Sequence, residues 1–306
     1  MMNALLKRTA SYGRAWFWAS RPFSLSAAVV PVLVGSAIAA EQVSLNWLLF
    51  AFALVGSLAI QVGTNLTDEY ADHRREGGQA KFPAPHKVLA RGLLTEREVL
   101  AGCIVTFGVG IGMGLYIVTE VGWPILAVGL GSVFVAVFYS AGPRPLGDTG
   151  LGEATVFFFM GPLMVVAAYY VQTQELAWAP FWGSMPVAFL VTAILHCNNL
   201  RDVDEDRESG KRTLVTMLGP RVGRVIYVGF LLASYGSMVI IAVTGVASIW
   251  ALVGLASMPW AYLAMRTVLT GKDRREMSMG LVKTAKLHGQ SGMLYAGGLG
   301  GAVVFG

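Results

Sequence analysis

Charge is scarce in this chain. Only 13% of its 306 residues are Asp, Glu, Lys or Arg, whereas 55% are hydrophobic, and the mean hydropathy is +0.60. A soluble domain carries about 25% charge, so the composition excludes one and points to a polytopic membrane protein. Cysteine is nearly missing. Cys103 and Cys197 lie in or beside apolar runs, far apart in sequence, which argues against a disulfide framework or a zinc site. The first twenty residues lack the long apolar core and small-residue cleavage site of a signal peptide. They are basic and amphipathic, with Trp16 and Trp18, and predict an interfacial helix. The net charge of +5 is no sign of nucleic-acid binding, because in a membrane protein the basic excess collects in cytoplasmic loops.

Uncharged sequence, in contrast, is abundant. Charge-free runs cover 22–40, 42–67, 99–119, 121–143, 154–174, 176–200, 225–265 and 287–306. Seven have the length of one crossing. The run 225–265 would be roughly 60 Å long as one helix, twice the hydrocarbon core, so two spans broken near 244–248 are expected. The fold predicted is all-α, with nine transmembrane helices bundled in a single domain over 1–306. Lys7, Arg8, Arg14 and Arg21 precede the first run; thereafter the odd-numbered links contain no Lys or Arg and the even-numbered ones do. By the positive-inside rule the N-terminus is cytoplasmic and the C-terminus outside. The glycine-dense run 108–114 lies mid-span and reads as close helix packing, not as a nucleotide-binding loop.

The few charges are concentrated. Of 18 acidic residues, six fall between 68 and 98 and five between 202 and 208. Asn198, Asp202 and Asp206 are spaced i, i+4, i+8 at the end of one run. Asp68, Asp72 and Glu76 repeat that spacing at the end of another. On a continuous helix each set shares one face. Two such clusters on the same side predict one composite site, capping the cytoplasmic end of the bundle. It would be assembled across pseudo-repeats at about 22–143 and about 153–270, with a ninth helix at about 285–306. Carboxylates converging at a membrane surface call for a partner, and a hard divalent cation such as Mg²⁺ takes oxygen ligands and substrate phosphates. For either cluster alone, a solvated helix end with a polar loop is the plainer reading.

Residues 196–214 read HCNNLRDVDEDRESGKRTL. They resemble the H-x-N-N-x-R-D-x-x-x-D-R-E-x-G-x-x-T-L segment of the UbiA superfamily of intramembrane prenyltransferases. The branch concerned prenylates 1,4-dihydroxy-2-naphthoate in menaquinone synthesis and includes the vertebrate vitamin K2 synthase. Arg21-Pro22 with VPVLVG at 30–35 is similar to the family's first helix. YSAGP at 139–143, with Gly152-Glu153 and Gly161-Pro162, is similar to its middle loop and following span. The chain departs from the usual pattern at Asp68, where Asn is commoner, and in KFPAPHKVLARG at 81–92; these departures bear on the acceptor.

The resemblance implies transfer of a prenyl chain from a polyprenyl diphosphate to an aromatic acceptor within the lipid bilayer. Asp68, Asp72, Asp202, Asp206 and Asn198 would hold Mg²⁺ against the diphosphate, with Asn65 as a further oxygen ligand or orienter. Arg21, Lys87, Arg91, Arg201 and Lys211 flank the clusters and suit phosphate oxygens, though loop charges of the positive-inside kind look the same. Tyr139 either faces the developing allylic cation with its ring, hydrogen-bonds an aspartate, or is a plain interfacial tyrosine. Glu69 and Glu76 either join the shell or point to water, and His196 reads as a packed, hydrogen-bonded histidine before it reads as a base.

The acceptor expected is 1,4-dihydroxy-2-naphthoate, losing its carboxylate to give demethylmenaquinol. 4-Hydroxybenzoate, homogentisate or a glycerol-based lipid are the alternatives. An ion-coupled transporter is the rival class, but its carboxylates would sit at the bilayer midplane rather than at helix ends beside basic loops. A phospholipid transferase would carry a D-G-x-x-A-R pattern, which is absent. In a bacterium the location expected is the cell (inner) membrane.

Overall fold

The computed structural model describes residues 12–75, 77, 84–140 and 145–305. Their helices are α1 (Tyr12–Ser24), α2 (Ser26–Ala40), α3 (Trp47–Arg75), α4 (Glu96–Val121), α5 (Trp123–Ser140) and α6 (Gly152–Thr173). There follow α7 (Trp178–Arg201), α8 (Val203–Glu208), α9 (Leu214–Leu218), α10 (Pro220–Val243), α11 (Ile249–Thr270) and α12 (Arg274–Phe305). Among the described residues the β structure is one isolated bridge, Thr149 to Arg212. The fold is all-α and the protein is an integral, multi-pass membrane protein. Six helices (α3, α4, α6, α7, α10 and α11) are long and apolar enough to cross a membrane, and α1–α2, bent by 53°, makes a seventh if taken as one span. The shorter apolar α5 and the 32-residue α12 lie in the other two predicted runs.

Local chemistry sets the boundaries. Inside α1 the chain turns at Arg21, whose φ of +49° is left-handed, just before the fixed φ of Pro22, and the 53° bend into α2 follows at Leu25. A capping box between Thr95 and Glu98 starts α4. The long run 225–265 breaks where its length requires. There α10 ends at Val243, Gly245 turns with φ +70°, and α11 opens with a 3₁₀ segment, Ile249–Ser257. The glycine run 108–114 is explained only in part by close packing. A Cβ on Gly110 would lie 2.7 Å from Ile60, whereas Gly108, Gly112 and Gly114 have nothing within 4 Å of that position.

Hydrogen bonds sort the links into two ends. At one end the Tyr169 hydroxyl donates to Gln42 Oε1 (2.6 Å), the Tyr170 hydroxyl to the Val121 carbonyl (3.4 Å), and the Asn46 amide to Gln172 Oε1 (2.8 Å). Trp47, Trp123 and Trp178 start three helices at this end and are largely exposed, as an aromatic belt requires. Both acidic clusters lie at the opposite end. There a small apolar cluster (Ala15, Ala19, Leu66, Val88, Leu89 and Val99 among it) tucks residues 84–94 beneath α1 and α3. Burial of Val88 and Leu89 holds the polar residues beside them in fixed positions.

Candidate active site

The first cluster is built on the last two turns of α3. Asp68 Oδ2 accepts from Arg21 Nη1 at 3.0 Å, so the left-handed bend at Arg21 delivers the guanidinium to the carboxylate. Asn65, one turn earlier, donates to the Ser20 carbonyl (2.8 Å) and to Ser24 Oγ (3.0 Å). It therefore fixes the bend, an orienting position. Asp72 Oδ2 accepts from Lys87 Nζ at 2.9 Å, and Lys87 is almost fully buried in the tucked loop. Glu69 faces away from this surface: fully buried, it accepts the Leu89 amide at 3.0 Å and so ties the loop to α3.

The second cluster spans the break between α7 and α8. The helix is interrupted at Asp202 (φ −100°), yet the Asp202 amide still donates to the Asn198 carbonyl and the Asp206 amide to the Asp202 carbonyl. The i, i+4, i+8 register thus survives the kink. Arg201 grips Asp202 with two bonds, Nε to Oδ1 at 2.8 Å and Nη2 to Oδ2 at 2.5 Å, and also donates to Asn198 Oδ1 at 2.7 Å. This fork on a carboxylate is the bidentate geometry that arginine favours. Arg274, at the start of α12, donates to Asp202 Oδ1 at 2.6 Å and pairs with Glu205. Asp206 is buried beside Lys211 Nζ (3.5 Å), which also reaches Asp148 (3.8 Å). Burial pushes the Asp206 carboxyl above the ordinary aspartate range, against the pull of Lys211.

The two clusters lie within electrostatic reach of one another. The charge of Lys211, from the second, acts on Asp72, in the first. His86, in the tucked loop, is pushed down to about 2 by burial and then by the charges of Arg21, Lys87 and Arg201, which belong to both clusters. Tyr139 closes one side: a Cβ at Gly152 would stand 3.4 Å from its hydroxyl, and the charges of Asp68, Glu153 and Asp148 reach its ring oxygen. Arg91 is exposed and donates to the Pro85 carbonyl in its own loop (3.3 Å). Glu76, Lys81 and 141–144 lie outside the described residues.

Beneath the second cluster is a buried polar network. His196 is fully buried, with Nδ1 3.1 Å from Glu153 Oε1 and Nε2 2.8 Å from the Gly223 carbonyl. Asn199 donates to the same Glu153 oxygen at 2.9 Å. His196 is a packed histidine, as expected.

The model of the UbiA prenyltransferase family matches residues 28–286. The chain belongs to the UbiA prenyltransferase family. It is 29% identical over 289 residues to the 1,4-dihydroxy-2-naphthoate octaprenyltransferase of Bacillus subtilis, covering 94% of this chain and 93% of the relative. Among solved structures, it is similar to a UbiA homolog from Aeropyrum pernix K1 (TM-score 0.66, 16% identity, covering 88% of this chain and 95% of that one). It is also similar to a UbiA homolog from Archaeoglobus fulgidus bound to DMAPP and Mg²⁺ (TM-score 0.53, 14% identity, covering 92% and 98%). This family member is therefore a prenyltransferase, and the transporter reading is set aside.

The structure brings Arg21, Asp68, Asp72, Lys87, Asn198, Arg201, Asp202, Asp206, Lys211 and Tyr139 to one end of the bundle. Sequence reasoning did not single out Arg274, Asp148 or His86. Arg274 lies in the eighth link, read from sequence only as a basic loop, and the structure extends the last helix back to it.

Proposed function

We propose that this prenyltransferase joins the allylic carbon of a polyprenyl diphosphate to the aromatic ring of 1,4-dihydroxy-2-naphthoate. The acceptor's carboxylate leaves as CO₂, and the product is demethylmenaquinol. The observation that carries the reading is the pairing of each of four carboxylates, from two segments of the chain, with a cation at one end of a lipid-immersed bundle. Such a set is charge-balanced, accepts a cation and an anion together, and borders the apolar spans that a prenyl tail needs. The naphthoate acceptor is supported by the similarity to the Bacillus subtilis enzyme.

The donors fit Mg²⁺. Among the described residues no three Asp, Glu, His or Cys side chains form a ready-made metal cluster; the carboxylates come two from each segment. Mg²⁺ is commonly bound by one or two carboxylates plus substrate phosphates, which this arrangement provides. Asp68 and Asp72 from one side, and Asp202, Asp206 and Asn198 from the other, are the holders. When bound, the ion supplies charge neutralisation for the departing diphosphate. Arg21, Lys87, Arg201 and Lys211 add donors for phosphate oxygens. Tyr139 lines the path to the allylic carbon. The electron-rich ring of the acceptor needs no strong base, in keeping with the engaged state of both His196 nitrogens; the protein orients the two reactants. The two clusters are read as equivalent ends of the two pseudo-repeats.

The deciding assay combines purified protein, Mg²⁺, prenyl diphosphates of several lengths and each candidate acceptor. Prenylated naphthoquinol with stoichiometric CO₂, lost on addition of EDTA, is the expected result. Product formed only from 4-hydroxybenzoate, homogentisate or a glycerol-based lipid overturns the acceptor. Turnover that survives chelation overturns the metal.

The charged end is placed in the cytoplasm, with the N-terminus, because it gathers the basic links. With Cys103 and Cys197 replaced by alanine, Arg74→Cys and Asp204→Cys should react with an impermeant thiol reagent only from the cytoplasmic side. Leu176→Cys, also exposed, should react from outside. Labelling of the first two from opposite sides would dismantle the composite site.

A further inference from the structure

Asp202 is held by two guanidinium groups, and they are not equivalent. Arg201 grips both of its oxygens, has a second anchor on Asn198 of the same helix, and is 10% exposed. Arg274 comes from a different helix, four residues beyond the end of α11. It makes one bond to Asp202 Oδ1 and is 28% exposed; Glu205, with which it also pairs, is 32% exposed. A carboxylate neutralised by two guanidiniums is a poor ligand for a cation. For Asp202 to act as proposed above, on which this inference rests, one guanidinium has to release it. The more exposed group, and the one bonded to a single oxygen of Asp202, is Arg274.

We propose that Arg274 is a diphosphate-binding residue of the last helix, stored on Asp202 and Glu205 in the structure and transferred to phosphate oxygens when a prenyl diphosphate arrives. The planar fork that spans two carboxylates here matches two oxygens of a phosphate equally well. The exchange costs little net charge, because the incoming anion replaces the carboxylates as the partner of Arg274 and Asp202 is left to a cation. α12 thereby contributes a residue to the substrate site.

The test is calorimetric titration of inorganic diphosphate, with saturating MgCl₂, into the wild-type protein and into R274Q, R274K and E205Q. R274Q is expected to weaken diphosphate binding about tenfold or more, the usual scale for one charge-assisted contact. R274K should fall between R274Q and wild type, since it keeps the charge and loses the fork. E205Q removes one storage partner and should tighten binding, by about threefold, as the competent population grows. In turnover, R274Q should raise KM for the prenyl diphosphate and leave KM for the acceptor in place. Unchanged diphosphate affinity in R274Q overturns the proposal. So does an E205Q that weakens binding as much as R274Q, which would make the pair a structural strut. A wild type that binds no diphosphate overturns the functional reading itself, an outcome separate from the other two.

Discussion

Asp202→Ala and Asp206→Ala are each expected to abolish turnover while the protein still inserts and purifies. Both carboxylates lie on one register of the α7–α8 segment, and each stands against a cation: Asp202 against Arg201 and Arg274, Asp206 against Lys211. Loss of either leaves the diphosphate facing an unbalanced site and removes a holder of the divalent ion. The rate should fall by at least ~10³, on the order of 4 kcal/mol of transition-state stabilisation. Asp202→Asn is the informative companion. It keeps the shape and one acceptor oxygen for Arg201, so it should preserve the unfolding midpoint better than Asp202→Ala and still lose turnover. Single-turnover rates over a range of Mg²⁺ concentrations decide the matter. Near-normal activity of either alanine variant sinks the assignment.

The second large effect is on stability. Glu153→Ala removes the acceptor shared by His196 and Asn199, both buried, and leaves their donors unpaired inside the bundle. Breaking one partner out of a buried network typically costs about 3–5 kcal/mol. The unfolding midpoint of the detergent-solubilised protein should drop sharply. Glu153→Gln keeps an oxygen in place and should recover part of the loss. Because Asn199 and His196 sit on the turns that carry Asn198 and Asp202, activity should fall with stability in Glu153→Ala. An alanine variant with the wild-type midpoint would show that water or a neighbour satisfies both donors, and the network would then have no structural weight.

Much of this was legible in one dimension because the membrane imposes its own grammar. Backbone groups in hydrocarbon must bond internally, so an uncharged run of twenty residues is a helix almost by necessity. The break at 244–248 followed from length alone. The acidic clusters stood out because charge is scarce elsewhere, and their i, i+4, i+8 spacing survived even where α7 gives way to α8 at Asp202. The reach of the glycine argument was shorter. Spacing suggested packing across 108–114, but only Gly110 meets a neighbouring helix, since which side of a helix faces protein is set by where its neighbours stand.

Composition and run length by themselves determined the all-helical membrane fold, acidic spacing picked out the two segments, and the likeness of residues 196–214 to a known motif pointed to the family. Hydropathy and i, i+4 spacing are properties of short stretches, so they can be read without the rest of the chain. Tertiary structure alone decided which cation stands on which carboxylate. Arg21 reaches Asp68 through a left-handed bend, Lys87 reaches Asp72 through a loop pinned by Val88 and Leu89, and Arg274 reaches Asp202 across 72 positions of sequence. These contacts join separate elements, and their partners are chosen by the packing of apolar faces that carry no charge, so no spacing rule along the chain can encode them.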